Sequence, residues 1–238
     1  MKIGTKLIST LFLLTSMANA LTVTAGDVDS VCNATSQVIQ GIMNYYVGLN
    51  NSAQVGLFAD PYYWWEAGEA WGGLIINWQF CKNNKSYGSS TNDTLETILY
   101  NALMSQRGSG KDYIPSSQSL TEGNDDQAFW GFAVLEAAER NFTNPPDNEP
   151  GWLALSQAVF NTMWARWDTD NCGGGLRWQI FTWNKGYDYK NTISNACLFH
   201  IGARLARYTM VMSFMMVLVL LPIVRKSPNN NGLTIWVS

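Results

Sequence analysis

Two adjacent carboxylates, Asp125 and Asp126, stand out as residues able to do chemistry together. They lie in the stretch Glu122-Gly123-Asn124-Asp125-Asp126-Gln127-Ala128-Phe129-Trp130. Phe129, Phe132, Ala133 and Leu135 follow at helical spacing, so the pair falls at a predicted helix start. Asn124 is the expected N-cap, with Gln127 three residues on as its capping-box partner. The exposed N–H groups at a helix start favour negative charge, and one Asp there is ordinary capping chemistry. Two side by side cannot both ionise freely, so one pKa should rise. That arrangement suits a reaction needing one ionised nucleophile or base and one protonated acid.

The elements that must position this pair read as helices. Asp27 or Ser30 can cap a first helix, whose predicted face is Val31, Ala34, Val38, Ile42 and Tyr45. Asp60-Pro61 reads as the start of a second, running from Tyr62 to Ile75. Its opening aromatics, Tyr62-Tyr63-Trp64-Trp65, cannot all face one core, so some must line a surface or cleft. Gly68 and Gly72 inside it predict close helix packing or a ligand, since each costs about 1 kcal/mol against Ala. Leu95, Ile98, Leu99, Ala102 and Leu103 form a third stripe. Trp152, Leu155, Val159, Thr162 and Arg166 form another, and a final helix is predicted over 192–208. Helix follows helix without strand alternation, in antiparallel-looking pairs, so the fold class is all-α, an α/α toroid.

Cys172-Gly173-Gly174-Gly175-Leu176-Arg177-Trp178-Gln179 is a glycine-rich loop without phosphate-loop spacing. Its glycines are expected to let backbone approach a ligand closely. The chain has 11 Trp and 10 Tyr among its 238 residues, enough aromatic faces to line a sugar cleft or to fill a core. A net charge of −3 predicts no nucleic-acid partner.

Residues 1–20 have the form of a secretory signal: basic Lys2 and Lys6, an apolar run from Leu7 to Met17, then Ala18-Asn19-Ala20. Glycosylation triplets begin at Asn33, Asn50, Asn84, Asn92 and Asn141. The four cysteines, Cys32, Cys81, Cys172 and Cys197, suggest two disulfides in an oxidising compartment. Three pairings are open; Cys32–Cys81 and Cys172–Cys197 are preferred as joining neighbouring elements. No zinc-ligand spacing is present, and His200 is the single histidine.

Four ordered motifs carry a resemblance: Asp60-Pro-Tyr-Tyr-Trp-Trp-Glu-Ala-Gly, Gly123-Asn-Asp-Asp-Gln-Ala-Phe-Trp-Gly, Cys172-Gly-Gly-Gly-Leu-Arg-Trp-Gln, and Tyr187-Asp-Tyr-Lys-Asn followed by Ser194-Asn. Over 21–208 the chain resembles glycoside hydrolase family 76, the endo-1,6-α-mannanases, and within it the fungal cell-wall branch. The resemblance implies an (α/α)6 barrel and a retaining mechanism, with Asp125 as nucleophile and Asp126 as acid/base or the reverse. It implies substrate contacts from Trp64, Trp65, Asn124, Gln127, Arg177, Trp178, Tyr187, Asp188 and Lys190, and no cofactor or metal. It implies α-1,6-mannan or the mannose-containing GPI glycan as substrate, with water or a wall glucan as acceptor, at the cell surface, wall or endomembrane. Only about the first half of the barrel is expected, as a domain over 21–209. Residues 210–238 read as an apolar, then Asn-rich tail outside the family. A truncated or frame-shifted reading is the expectation there, and a short membrane anchor the alternative. The alternative function is an inactive fragment or a non-catalytic mannan-binding protein.

Overall fold

The computed structural model describes residues 21–84 and 89–220, with backbone alone for 89–93 and 209–220. The signal segment, the tail from residue 221 and the Asn92 side chain lie outside the described residues. Six α-helices occur among them: α1 Val28–Met43, α2 Trp64–Cys81, α3 Ser89–Ser105, α4 Asn124–Glu139, α5 Trp152–Ala165 and α6 Thr192–Leu220.

The helices form antiparallel pairs, and the even members run parallel to one another. Cys81 at the end of α2 is bonded to Cys32 near the start of α1, so these two oppose each other. Between α2 and α4 the register rises together: a Cβ on Gly68 would sit 2.9 Å from the Trp130 ring, and one on Gly72 would sit 3.4 Å from Ala133 Cα. The same holds between α4 and α6, where Phe132 meets His200 and Glu136 takes the Arg204 guanidinium at 2.7 Å. By contrast Gln127 meets Thr162 and Gly131 meets Val159, so α5 runs against α4. The described residues are thus all-α, as the helical pattern predicts, with α2, α4 and α6 parallel.

Gly68 and Gly72 therefore serve helix packing. They let α2 approach α4 closely enough for Trp130 to be sandwiched between Trp64 (5.3 Å) and Tyr113 (5.6 Å). The polar tips of this core are paired. The Trp130 indole donates to Trp64 O (3.1 Å), Trp71 donates to Gly56 O (2.8 Å) and the Tyr113 hydroxyl donates to Leu103 O (2.7 Å).

Several local expectations shift. Asp27 caps α1, accepting from the Asp29 and Ser30 backbone N–H groups, so Ser30 lies inside the helix. Of the face predicted for the first helix, Ala34 is buried, Val38 is about half exposed, and Tyr45, also about half exposed, lies beyond the end of α1, so the face is only partly covered. The second helix opens at Trp64 rather than at Asp60-Pro61, which forms a cis-peptide turn. The deciding signal is Glu66, whose carboxylate takes the Tyr63 N–H at 2.7 Å and closes the first turn. Of the four aromatics, Tyr62 and Tyr63 are exposed and Trp64 is buried. The last helix runs past residue 208 to Leu220. Met, Leu and Val from 210 onward hold no helix breaker before Pro222, so nothing local stops it. Among the described residues no helix is long and apolar enough to cross a membrane.

Cys32–Cys81 is joined, as expected, with a Cα–Cα distance of 5.7 Å. Cys172 and Cys197 are not. Cys172 sits at φ 56° in the glycine turn and faces solvent, whereas Cys197 points from α6 into the core. Asn33, Asn50 and Asn141 are exposed and Asn84 is half-buried.

Candidate active site

The site is built where the start of α4 meets the segment after the glycine turn. Gly123 is the N-cap and Asn124 the first helical residue, one position from the expected register. Asp126 thereby becomes the third residue of the helix, and its carboxylate accepts the Gly123 N–H at 2.6 Å. A capping carboxylate at this position satisfies one of the orphan donors of a helix start. Gln127, freed from capping, turns inward and donates to Asp112 O (2.7 Å) and Thr162 Oγ1 (2.8 Å).

A short antiparallel bridge joins Gly123 to Gln179. Asn124 N–H donates to Trp178 O (2.7 Å), Ile180 N–H to Glu122 O (3.3 Å), and the Asn124 amide to Arg177 O (2.9 Å). This pairing holds the Trp178 indole against the carboxylates. Gly123 tolerates no side chain: a Cβ would lie 2.4 Å from Asp125 Oδ1 and 2.9 Å from Trp178 O.

The two carboxyls have unequal surroundings. Asp125 is 8% exposed, accepts from Asn191 Nδ2 at 3.2 Å and from the Asp126 N–H at 3.1 Å, and also has Trp178 as a side-chain partner. Its pKa is raised, by burial first, and these bonds to the ionised form oppose the rise without cancelling it. Asp126 is pushed up to about 7, by burial first, opposed by the Gly123 N–H and reinforced by the neighbouring Asp125 charge. Glu122, one residue before the cap, is 1% exposed and both its carboxyl oxygens lack a hydrogen-bond partner. Burial, then the Asp126 charge, pushes it up to about 9, with the Arg166 cation opposing.

Glu122 therefore makes the fold pH-sensitive. Unfolded, it ionises near 4.5; folded, it keeps its proton to about 9. Its contribution is fully present below the lower value and is lost as pH rises through the upper one. We expect the melting temperature to decline between pH 5 and 9, and Glu122→Gln to flatten that decline. An equal decline in the variant would exclude Glu122 as its source.

The residues expected to touch substrate are scattered by the structure. Trp64 is in the core, its indole N–H donated to Gln106 Oε1 at 2.9 Å. Trp65 is half-buried against Phe129 (4.8 Å) and lines an apolar groove of about 560 Å³ between α1 and α2, whose lining does not include the aspartates. Asn124 and Gln127 are buried and committed to their own chain. Lys190 spends its ammonium on Asp168 O (2.7 Å), Asn171 O (2.6 Å) and Gly174 O (3.0 Å), pinning the glycine turn. The glycines of that turn meet the chain itself: added Cβ atoms on Gly174 and Gly175 would lie 2.9 Å from Trp167 and 3.1 Å from Asn195. Arg177 and Tyr187 stay together, guanidinium over ring at 4.9 Å, with Arg177 also paired to Asp168 at 2.8 Å. They line a polar cavity of about 360 Å³ that Asn124 and Arg166 also line. Asp188 is exposed, and Trp178 is 36% exposed beside Asp125.

Three participants escape a reading of the sequence. Asn191 both bonds Asp125 and caps α6 through Ser194 N (3.0 Å); its signals in the sequence are its place in the Tyr187 motif and an Asn directly before a helix. Glu122 and Arg166 carry no local signal. Among the described residues, no group of three or more His, Cys, Asp or Glu could hold a metal ion.

Antiparallel helix pairs with two adjacent carboxyls at the start of α4 define an all-α protein with a paired-carboxylate centre. The chain belongs to glycosyl hydrolase family 76, whose model matches residues 30–215. Mannan endo-1,6-alpha-mannosidase DFG5 of Candida albicans is 58% identical over 202 residues, 85% of this chain and 43% of that protein. Mannan endo-1,6-alpha-mannosidase DCW1 of Saccharomyces cerevisiae is 58% identical over 195 residues, 82% of this chain and 41% of that protein. The crystal structure of Dfg5 from Chaetomium thermophilum in complex with glucosamine matches with a TM-score of 0.67 and 33% identity, covering 88% of this chain and 52% of that one. The chain thus spans less than half the length of the curated relatives it matches.

Proposed function

We propose that the pair is the catalytic centre of a retaining glycosidase acting on α-1,6-mannosidic bonds. The observation that carries this reading is the inequality of the two carboxyls. Asp125 receives three bonds that favour its ionised form, and Asp126 is held near neutrality. Asp125 attacks the anomeric carbon and forms a glycosyl ester. Asp126 gives its proton to the departing glycosidic oxygen as that bond breaks. Asp126, now a base, takes a proton from the acceptor hydroxyl, which displaces Asp125 and restores both groups. Water as acceptor gives hydrolysis; a wall glucan hydroxyl gives transfer. Both mannan and the mannose-containing GPI glycan are substrates of this chemistry. A secretory route to the cell surface or wall fits the leader-like residues 1–20 and the names of the relatives. Association with a membrane belongs to the same reading and is tested by fractionation.

The test is NMR of the first product from an α-1,6-mannooligosaccharide. An α-anomer appearing first supports retention; a β-anomer overturns it. The proton on Asp126 also sets a pH limb. The rate should fall as pH rises through about 7, where Asp126 ionises. With an activated aryl mannoside, whose leaving group needs no proton, that limb should vanish. Persistence of the limb would remove Asp126 from the acid role.

Exposed aromatics near the pair favour a second reading, mannan binding without turnover. Trp178 stands beside Asp125, Tyr189 (57% exposed) packs edge-on against it, and Trp183 (64% exposed) stacks on Phe181 in the same loop. Retention on a mannan column without release of reducing ends is its signature.

A further inference from the structure

We propose that Arg166 is the positioning residue of the aspartate pair, a role that rests on reading Asp125 and Asp126 as catalytic. Arg166 caps the C-terminus of α5 and is mostly buried. Its Nε donates to Asn124 Oδ1 at 2.8 Å, and its terminal nitrogen donates to Gln127 Oε1. Asn124 and Gln127 are the two residues that bracket Asp125 and Asp126. One rigid guanidinium therefore spans the first turn of α4 from both sides of the pair.

The rest of the network tightens this grip. The Asn124 amide donates onward to Arg177 O at 2.9 Å, and the Gln127 amide donates to Asp112 O and Thr162 Oγ1. Both amides thus have their oxygens committed to Arg166 and their nitrogens to other segments. The turn carrying the carboxyls is tied at once to α5, to the loop before α4 and to the strand-like segment holding Trp178. A buried guanidinium is costly, and one bonded to neutral amides forgoes the attraction of a direct ion pair. The carboxylates whose charge favours this cation are Asp112 and, once it ionises near pH 9, Glu122. The planar fork is what reaches both amides; an ammonium at the same place reaches one.

The test follows the Gly123 amide proton, which donates to Asp126 at 2.6 Å and so reports that carboxyl directly. In the full chain its NMR shift should move as pH crosses about 7, the Asp126 midpoint. Arg166→Lys keeps the charge and most of the volume, so the chain should stay folded. It should at least halve the amplitude of that titration, roughly, because the turn is held from one side only. In the same variant kcat on an α-1,6-mannooligosaccharide should fall roughly tenfold or more with KM changed less than about threefold, the mark of misplaced reacting groups. An unchanged Gly123 titration together with unchanged kcat overturns the inference. An altered titration supports it whether or not the chain turns over mannan. The failure of the underlying reading is separate: it shows as full turnover in Asp125→Asn, which leaves Arg166 untouched.

Discussion

Asp125→Asn should lower turnover of an α-1,6-mannooligosaccharide by about 10⁴-fold or more, since a nucleophile acting in concert with its acid is not replaced by the remaining groups. The substitution is nearly isosteric. An Asn side chain has one oxygen and keeps only one of the bonds from the Asp126 N–H and Asn191 Nδ2, but the Asp126 cap on the Gly123 N–H is untouched, so the start of α4 should keep its shape. The melting temperature should shift by only a few degrees or rise, because burial no longer opposes a charge at this position. Full activity in a well-folded Asp125→Asn would remove the paired-carboxylate mechanism. Loss of activity with loss of fold would place Asp125 in the scaffold instead. Running the same assay on Asp126→Asn with natural and activated substrates then separates nucleophile from acid. The acid variant should recover much of its first step when the leaving group needs no proton.

Trp130→Ala should be the most damaging core substitution, costing about 3–5 kcal/mol of stability. Trp130 is fully buried on α4 and stacks on Trp64 and Tyr113 at once. Removing it empties the contact between α2 and α4 and takes the indole hydrogen bond from Trp64 O. The surrounding backbone cannot collapse to fill the gap, because Gly68 and Gly72 already bring the helices together. A fall in melting temperature of roughly 10 °C is expected for a chain of this size. A loss under about 1 kcal/mol would mean that the sandwich contributes little and that the close glycine contacts hold the pair of helices alone. The same variant bears on function, since α4 carries Asp125 and Asp126 two turns or less from the cavity it would create.

The comparison of Trp64 with Trp178 shows where a linear reading of aromatics reaches its limit. Both sit in motifs that mark the family, and both were expected at the substrate. Trp64 is in the core under Trp130, whereas Trp178 stands at Asp125. Nothing in the Tyr62–Trp65 run says which ring faces inward; the direction is set when Gly68 lets α2 seat against α4. Lys190 is the same lesson in a polar side chain. The family resemblance implies a substrate contact for it, but the turn at Gly174 and Gly175 folds three carbonyls around its ammonium. The disulfides divide likewise. Cys32 and Cys81 lie on adjacent helices that antiparallel pairing alone brings together, while Cys172 is turned outward by the backbone of its own loop.

What the sequence by itself determined is local: the helices, their pairing, the placing of two carboxyls at the first turn of α4, and the family motifs. The helices and the placing of the carboxyls follow from periodicity and capping, whose range is three or four residues along the chain, while the motifs are legible as a family resemblance. What only the tertiary structure decided is the set of partners that make the two carboxyls unequal. Asn191 reaches Asp125 across a separation of 66 residues, and Arg166 reaches Asn124 and Gln127 across 42 and 39. Such contacts exist once loops have closed and helices have packed, and burial then shifts the carboxyls by removing water that no stretch of sequence can show to be absent.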